Sequence, residues 1–224
     1  MHRKAGLALV VGAGPGMGLA LAKALAGEGF DLALVVREGE PREPFELALA
    51  GFPVTWRLFT CDAGDAKGMA AVLEQVAEGC RPVEVLIFNA SRSSPALPSA
   101  LDPAFLLSDL EIHLGGAVRS VQAVLPGMRA RGRGTILLTG GGSALHPKAQ
   151  EASLGIGKGA MRTLALLLAE ELEPEGIHVA TVTIDGFIQA GTVLDPALIA
   201  RHYLELHAEP RGTWRREVVV RGLE

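Results

Sequence analysis

Short apolar runs alternate with helix-period stretches along the whole chain. Leu7–Val11, Asp31–Val36 and the runs at 54–60, 83–89, 135–139, 178–184 and 217–220 have the length and composition of buried strands. Between them, 16–27, 65–78, 103–128, 151–172 and 196–207 place apolar residues at helical spacing, the third with an expected internal break. The serine- and proline-rich stretch 91–102 predicts a loop, and Asp102 before Pro103 supplies an N-cap and a first-turn proline. Basic, glycine-rich 129–134 ends the helix that follows. Such strict alternation, with strands apolar throughout, predicts a doubly wound α/β fold: a parallel sheet of about seven strands with helices on both faces.

The 224 residues, 49% hydrophobic and 21% charged, supply a sizeable core for a single domain over 1–224 and exclude wholesale disorder. A net charge of −4 without a dense lysine or arginine run offers no general attraction to a phosphate backbone, so no nucleic-acid partner is expected. Cys61 and Cys80 make no disulfide framework and read as buried, inert thiols. His202 and His207 lie about 140° apart around a helix, and no metal-ligand spacing emerges. A reducing, cytoplasmic setting fits these features. Met1-His2-Arg3-Lys4 and the uncharged stretch to Ala22 mimic a signal peptide or membrane span, but Gly12, Gly14, Pro15, Gly16 and Gly18 interrupt it. The stretch reads instead as a buried strand entering a glycine loop, and no membrane association is expected.

That loop, Gly12-Ala13-Gly14-Pro15-Gly16-Met17-Gly18, joins the first strand to the first helix. Glycines let the backbone turn sharply and approach a pyrophosphate, while the helix's unpaired N–H groups and positive dipole end offset its charge. The spacing GxxxGxG at Gly12, Gly16 and Gly18 resembles the short-chain dehydrogenase/reductase (SDR) family, a resemblance that extends over nearly the whole chain. Asp62, followed by Ala63, matches the family's adenine-recognising aspartate, and Asn89-Ala90-Ser91 is similar to its Asn-Ala-Gly after the fourth strand. Asp185-Gly186-Phe187-Ile188 resembles the stretch at the nicotinamide site. The resemblance implies a Rossmann-type fold and a nicotinamide dinucleotide held by Gly12, Gly14, Gly16, Met17, Gly18, Asp62, Ala63, Asn89, Ala90, Gly186 and Ile188. At the end of the second strand, where NAD-selective members place an acid, stands Arg37, which can pair with a 2′-phosphate or simply be solvated. NADP(H) is therefore favoured over NAD(H).

The same resemblance implies a tyrosine and lysine spaced YxxxK, a serine after the fifth strand and an asparagine in the fourth helix. Alignment on Lys158 puts Leu154 at the tyrosine, Gly141 at the serine, with Ser143 two places on, and His113 at the asparagine. Tyr203, the chain's lone tyrosine, has no lysine four residues later. Lys158 retains the implied role of bonding the nicotinamide ribose, the alternative being a solvated lysine. His113 or His146 could replace the acid and Ser143 could bond an oxyanion; equally, His113 could pack on its helix and His146-Pro147 form an exposed turn. General acid catalysis contributes about 10²–10⁴-fold and one oxyanion donor about 10²–10³-fold, so a turnover near 10 s⁻¹ would fall to roughly 10⁻² s⁻¹ or below.

Two functions follow from these expectations: an SDR-like oxidoreductase, slow in carbonyl/alcohol hydride transfer, or a non-catalytic NADP(H)-binding sensor or partner subunit. Any small-molecule substrate is unspecified, and the stretch between Gly186 and Pro196 is short where members of the resembled family often have a longer substrate lid, which implies a relatively open site. The helices at 102–128 and 151–172 resemble those through which many family members dimerise or tetramerise, which implies a homodimer or homotetramer; the small residues Gly155, Gly157, Gly159 and Ala160 could permit close packing there, and the glycines could equally admit the nicotinamide. Trp56 alternates with Val54 and Leu58 and reads as core. Trp214 reads as an interface, lid or sheet-edge residue.

Overall fold

The computed structural model describes residues 6–222; the basic start at residues 1–4 lies outside them. The chain runs β1 (Leu7–Val11), α1 (Met17–Gly27), β2 (Asp31–Val36), α2 (Glu43–Leu49), β3 (Trp56–Thr60), α3 (Ala66–Gly79) and β4 (Val83–Phe88). It continues through α4 (Pro103–Leu110), a π turn (Glu111–Gly115), α5 (Gly116–Arg131), β5 (Gly134–Gly141), α6 (Ala152–Leu172), β6 (Ile177–Asp185), α7 (Pro196–Ala208) and β7 (Glu217–Arg221). The strands form one parallel sheet in the order β3-β2-β1-β4-β5-β6-β7. Strand order reverses between β1 and β4, which opens a crevice at their carboxyl ends.

Every residue of β1 and β2 is buried because both sheet faces are covered. Side-chain alternation divides the core accordingly: Leu9, Val11 and Leu86 pack toward α3, α5 and α6, whereas Ala8, Val10 and Ile87 pack toward α1, α2 and α7. Trp56 packs against the core with Val54 and Leu58, as expected, but is not fully enclosed. It lies half-buried on the edge strand β3, with the Arg42 guanidinium 4.4 Å from its ring, because an edge strand has a neighbour on one side only.

The hydrophobic pattern does not announce α2. Seven residues and two nearby prolines conceal it, although Phe45 and Leu49 bury one face at i,i+4 and Pro44 sits in the first turn. The expected break after Asp102 is the π turn, and left-handed Gly132, φ +60°, ends α5. β5 extends past the predicted boundary because Gly140 and Gly141 continue to pair with Thr183 and Ile184. Trp214 is not a lid: it stacks on His178 at 5.0 Å, and its Nε1 donates to the Glu209 carbonyl at 2.9 Å. No helix among the described residues is long and apolar enough to cross a membrane.

Candidate functional site

The crevice beside β1 begins with the glycine loop. Gly12 has φ +85°, and a Cβ there would come within 2.6 Å of Ala90 Cα; one on Gly18 would lie 2.5 Å from the Ala13 carbonyl carbon. These two glycines are required by the fold. A Cβ on Gly14 or Gly16 would meet nothing within 4 Å, so their open faces form a cradle toward the crevice. Gly16 caps α1 without a side-chain hydrogen bond, and the first turn carries no acidic residue, leaving the positive helix end uncompensated. Asn89 locks the loop to the next strand, its Nδ2 donating to the Gly12 carbonyl at 2.8 Å.

A cavity of about 280 Å³ follows this edge, bringing together Gly12, Gly14, Gly16, Met17, Gly18, Arg37, Asp62, Ala63, Asn89 and Ala90. Asp62 Oδ1 accepts from Gly64 N at 2.8 Å, fixing the turn after β3. The Arg37 side chain is 70% exposed, its Nη2 3.4 Å from Glu40 Oε1. Glu40 and Arg92 also line this cavity and were not singled out by motif; Glu40 lies three residues beyond Arg37 in an irregular stretch without a fixed spacing. Cys61 is half-buried rather than buried. Burial, then the Asp65 and Asp62 carboxylates, push its thiol pKa up and keep it protonated.

Met17, Asn89 and Ser91 continue into a second cavity of about 580 Å³, lined by Gly141, Ser143, His146, Leu154, Lys158, Gly186 and Ile188. Lys158 is 6% exposed, its Nζ donating to the Thr139 carbonyl at 2.7 Å, and burial pushes its pKa down to about 8. Leu154 stands one helical turn earlier on the same wall. Gly141 is extended, φ −156°, and a Cβ there would sit at ordinary contact distance from the Lys158 stem. Phe187, 83% exposed, borders an adjoining open concavity of about 930 Å³.

His113 does not reach either cavity. It is fully buried on the π turn, its ring against Gly157, and Nε2 donates to the Arg92 carbonyl at 2.8 Å. Burial and then the Lys158 charge lower its pKa, so the imidazole is neutral at pH 7 with an unpartnered Nδ1. The replacement-acid expectation for His113 fails on access. Tyr203 lies across the sheet, its hydroxyl 2.7 Å from Thr139 Oγ1, and burial raises its pKa. Among the described residues no group of three or more histidine, cysteine, aspartate or glutamate side chains could hold a metal ion.

The glycine cradle, the bare helix end and the buried lysine along one crevice fit a dinucleotide. A family model described as short chain dehydrogenase matches residues 6–193. The chain is 32% identical over 180 residues to human 17-beta-hydroxysteroid dehydrogenase type 1, covering 78% of this chain and 54% of that protein. It is also 32% identical over 183 residues to a very-long-chain 3-oxoacyl-CoA reductase of Aspergillus clavatus, covering 80% and 53%. The chain thus spans about half the length of these relatives. A short-chain dehydrogenase structure from Rhodopseudomonas palustris superposes with a TM-score of 0.86 at 27% identity, covering 97% of this chain and 98% of that one. In motif, fold and crevice alike, this chain belongs to the short-chain dehydrogenase/reductase family of oxidoreductases, which bind nicotinamide dinucleotides.

Proposed function

We propose that this chain binds NADP(H) along the crevice and interconverts carbonyl and alcohol slowly, without the family's tyrosine acid. The observation that carries the reading is Leu154 in the cavity wall, one turn before buried Lys158. Neither Leu154 nor Gly141 carries a hydroxyl, so the positions that would protonate and steady the substrate oxygen are vacant of their usual chemistry. The bound dinucleotide would supply the hydride. The uncapped start of α1 at Gly16 would receive its pyrophosphate, Asp62 and Ala63 its adenine, Lys158 its ribose, and Gly186 and Ile188 its nicotinamide.

Preference for the phosphorylated cofactor rests on Arg37. Its contact with Glu40 is a weak exposed pair, whereas a 2′-phosphate offers charge-assisted, bidentate hydrogen bonds. Calorimetry should give tighter binding of NADPH than of NADH, and Arg37→Asp should reverse or erase the difference. Equal affinities in the unaltered protein would refute the preference. The second reading, a non-catalytic NADP(H)-binding sensor or partner subunit, draws on the same Leu154 wall; NADPH binding without oxidation across a carbonyl panel would favour it. Exposed Phe105, Leu107, Ile156 and Leu167 on α4 and α6 support a homodimer or homotetramer, which light scattering checks.

A further inference from the structure

We infer that Lys158 is itself the proton donor of this chain, delivering a proton from Nζ to the carbonyl oxygen of a substrate held against Leu154 and Gly141. The inference rests on the proposed dinucleotide binding and adds the missing half of its chemistry. Lys158 is more than nine-tenths buried, yet it lines the 580 Å³ cavity. Its position is fixed at both ends: Nζ is held by the Thr139 carbonyl, and its stem runs beside Gly141. An ammonium carries three donors, and this carbonyl takes one.

The competing donors are placed less well. His146 is 73% exposed at the rim, its Nε2 3.9 Å from Asp185 Oδ2, with no hydrogen bond holding the ring over the cavity floor. Ser143 offers a neutral hydroxyl, which stabilises an oxyanion but is a poor source of a proton at neutral pH. His113 lies behind Lys158, buried and neutral. Glu151, Asp185, His146 and Lys148 line the same cavity, and Tyr203 reaches only the Thr139 hydroxyl from the far face of the sheet. Burial supports the role by bringing the lysine to about 8, protonated at pH 7 and weak enough in its hold to release the proton.

In the reductive direction the carbonyl carbon accepts a hydride, with its electron pair, from the reduced dinucleotide, and the oxygen accepts the proton from Nζ. The products are the alcohol, the oxidised dinucleotide and a neutral amine, which recovers a proton from water through the open cavity.

Three measurements test this. With saturating NADPH and a reactive dicarbonyl, kcat should hold at neutral pH and fall about tenfold per pH unit above about 8, because the acid form is lost there. Nitrogen NMR of the free protein should show one lysine titrating near about 8, absent in Lys158→Met. Lys158→Arg keeps the charge but does not release its proton, so kcat measured at saturating NADPH should drop at least about 100-fold even after any change in NADPH affinity is made up by concentration. Should the larger guanidinium disturb the fold, Lys158→Met with Leu154→Tyr separates the roles, since a phenol should restore part of kcat without the amine. The inference is overturned by Lys158→Arg turning over at the unaltered rate, by a kcat that stays level up to about pH 9.5, or by a protein that binds NADPH and reduces no carbonyl. Failure to bind NADPH at all would overturn the underlying functional reading instead.

Discussion

At the residue scale, the four loop glycines look alike in the sequence and differ in what surrounds them. Gly12→Ala must place a Cβ at φ +85° against Ala90, and Gly18→Ala must push on Ala13, so both variants should lose about 1 kcal/mol or more of stability as well as NADPH affinity. Gly14→Ala meets nothing and should unfold like the parent in urea, with the smallest loss of NADPH affinity of the three. A larger affinity loss at Gly14 would mean that the motif register is wrong. The second prediction concerns Leu154. A phenol there would stand one turn from Lys158, and a serine at Gly141 incurs no strain because the backbone is extended and the nearest Lys158 carbon is 3.6 Å from the new Cβ. Leu154→Tyr with Gly141→Ser should raise the initial rate of NADPH-dependent dicarbonyl reduction at least about tenfold, a cautious share of the acid and oxyanion contributions, with Leu154→Tyr alone as control. A parent protein already turning over at several per second, on the order of typical enzymes, would contradict the impaired-enzyme reading. Motif spacing made Lys158, Leu154 and the glycines legible. It could not reveal whether His113 faces the cavity or the core, because His113 lies in the π turn, where the 3.6-residue period that would assign its face is interrupted.

At the scale of elements, the long strands and helices were legible because their periodicity runs for many residues, whereas short α2 was not, and of the π turn only a break in the helical pattern was. The π turn adds a residue to one helical ring and so rotates His113 inward, a shift that no 3.6-residue pattern announces. Beside it lies a pin that the sequence also hid. Asp109 is fully buried at the end of α4 and accepts from Arg92 Nε at 2.8 Å and Ser94 N at 2.9 Å, tying the loop after β4 to the helix. Burial alone would raise its carboxyl pKa, but the hydrogen bonds from Arg92, Ser153 and Ser94 outweigh it and hold the pKa below the usual range. A carboxyl depressed in the folded state contributes stability above its unfolded value, near ~3.9, and loses it as pH falls through the lower folded value. Asp109→Ala should therefore cost about 2 kcal/mol at pH 7 by urea denaturation, with the gap to the parent narrowing below about pH 4. An unchanged midpoint at pH 7 would show that the loop is held by other contacts.

At the scale of the whole molecule, parallel winding explains why residues far apart in sequence meet in one crevice. Asn89 stands just beyond β4, Asp185 at the end of β6 and Thr139 among the last paired residues of β5, so one edge of the sheet collects the glycine loop, the extended glycines and the approach to Lys158. The alternation of strand and helix made this edge foreseeable, and right-handed crossovers do the rest. The cavity volumes and the engagement of Arg37 by Glu40 depend on packing between elements and were not foreseeable. Because the crevice joins loops from both halves of the sheet, a dinucleotide seated there should stabilise the native state as a unit. Ligand at 100 times its Kd adds about 2.7 kcal/mol, equivalent to a rise in Tm of roughly 5–10 °C for a chain of this size. NADPH should give that rise in a thermal melt, NADH at equal concentration a smaller one, and Arg37→Asp should close the gap between them. A melt unmoved by either cofactor at millimolar concentration would mean that the crevice has the family's shape without its affinity.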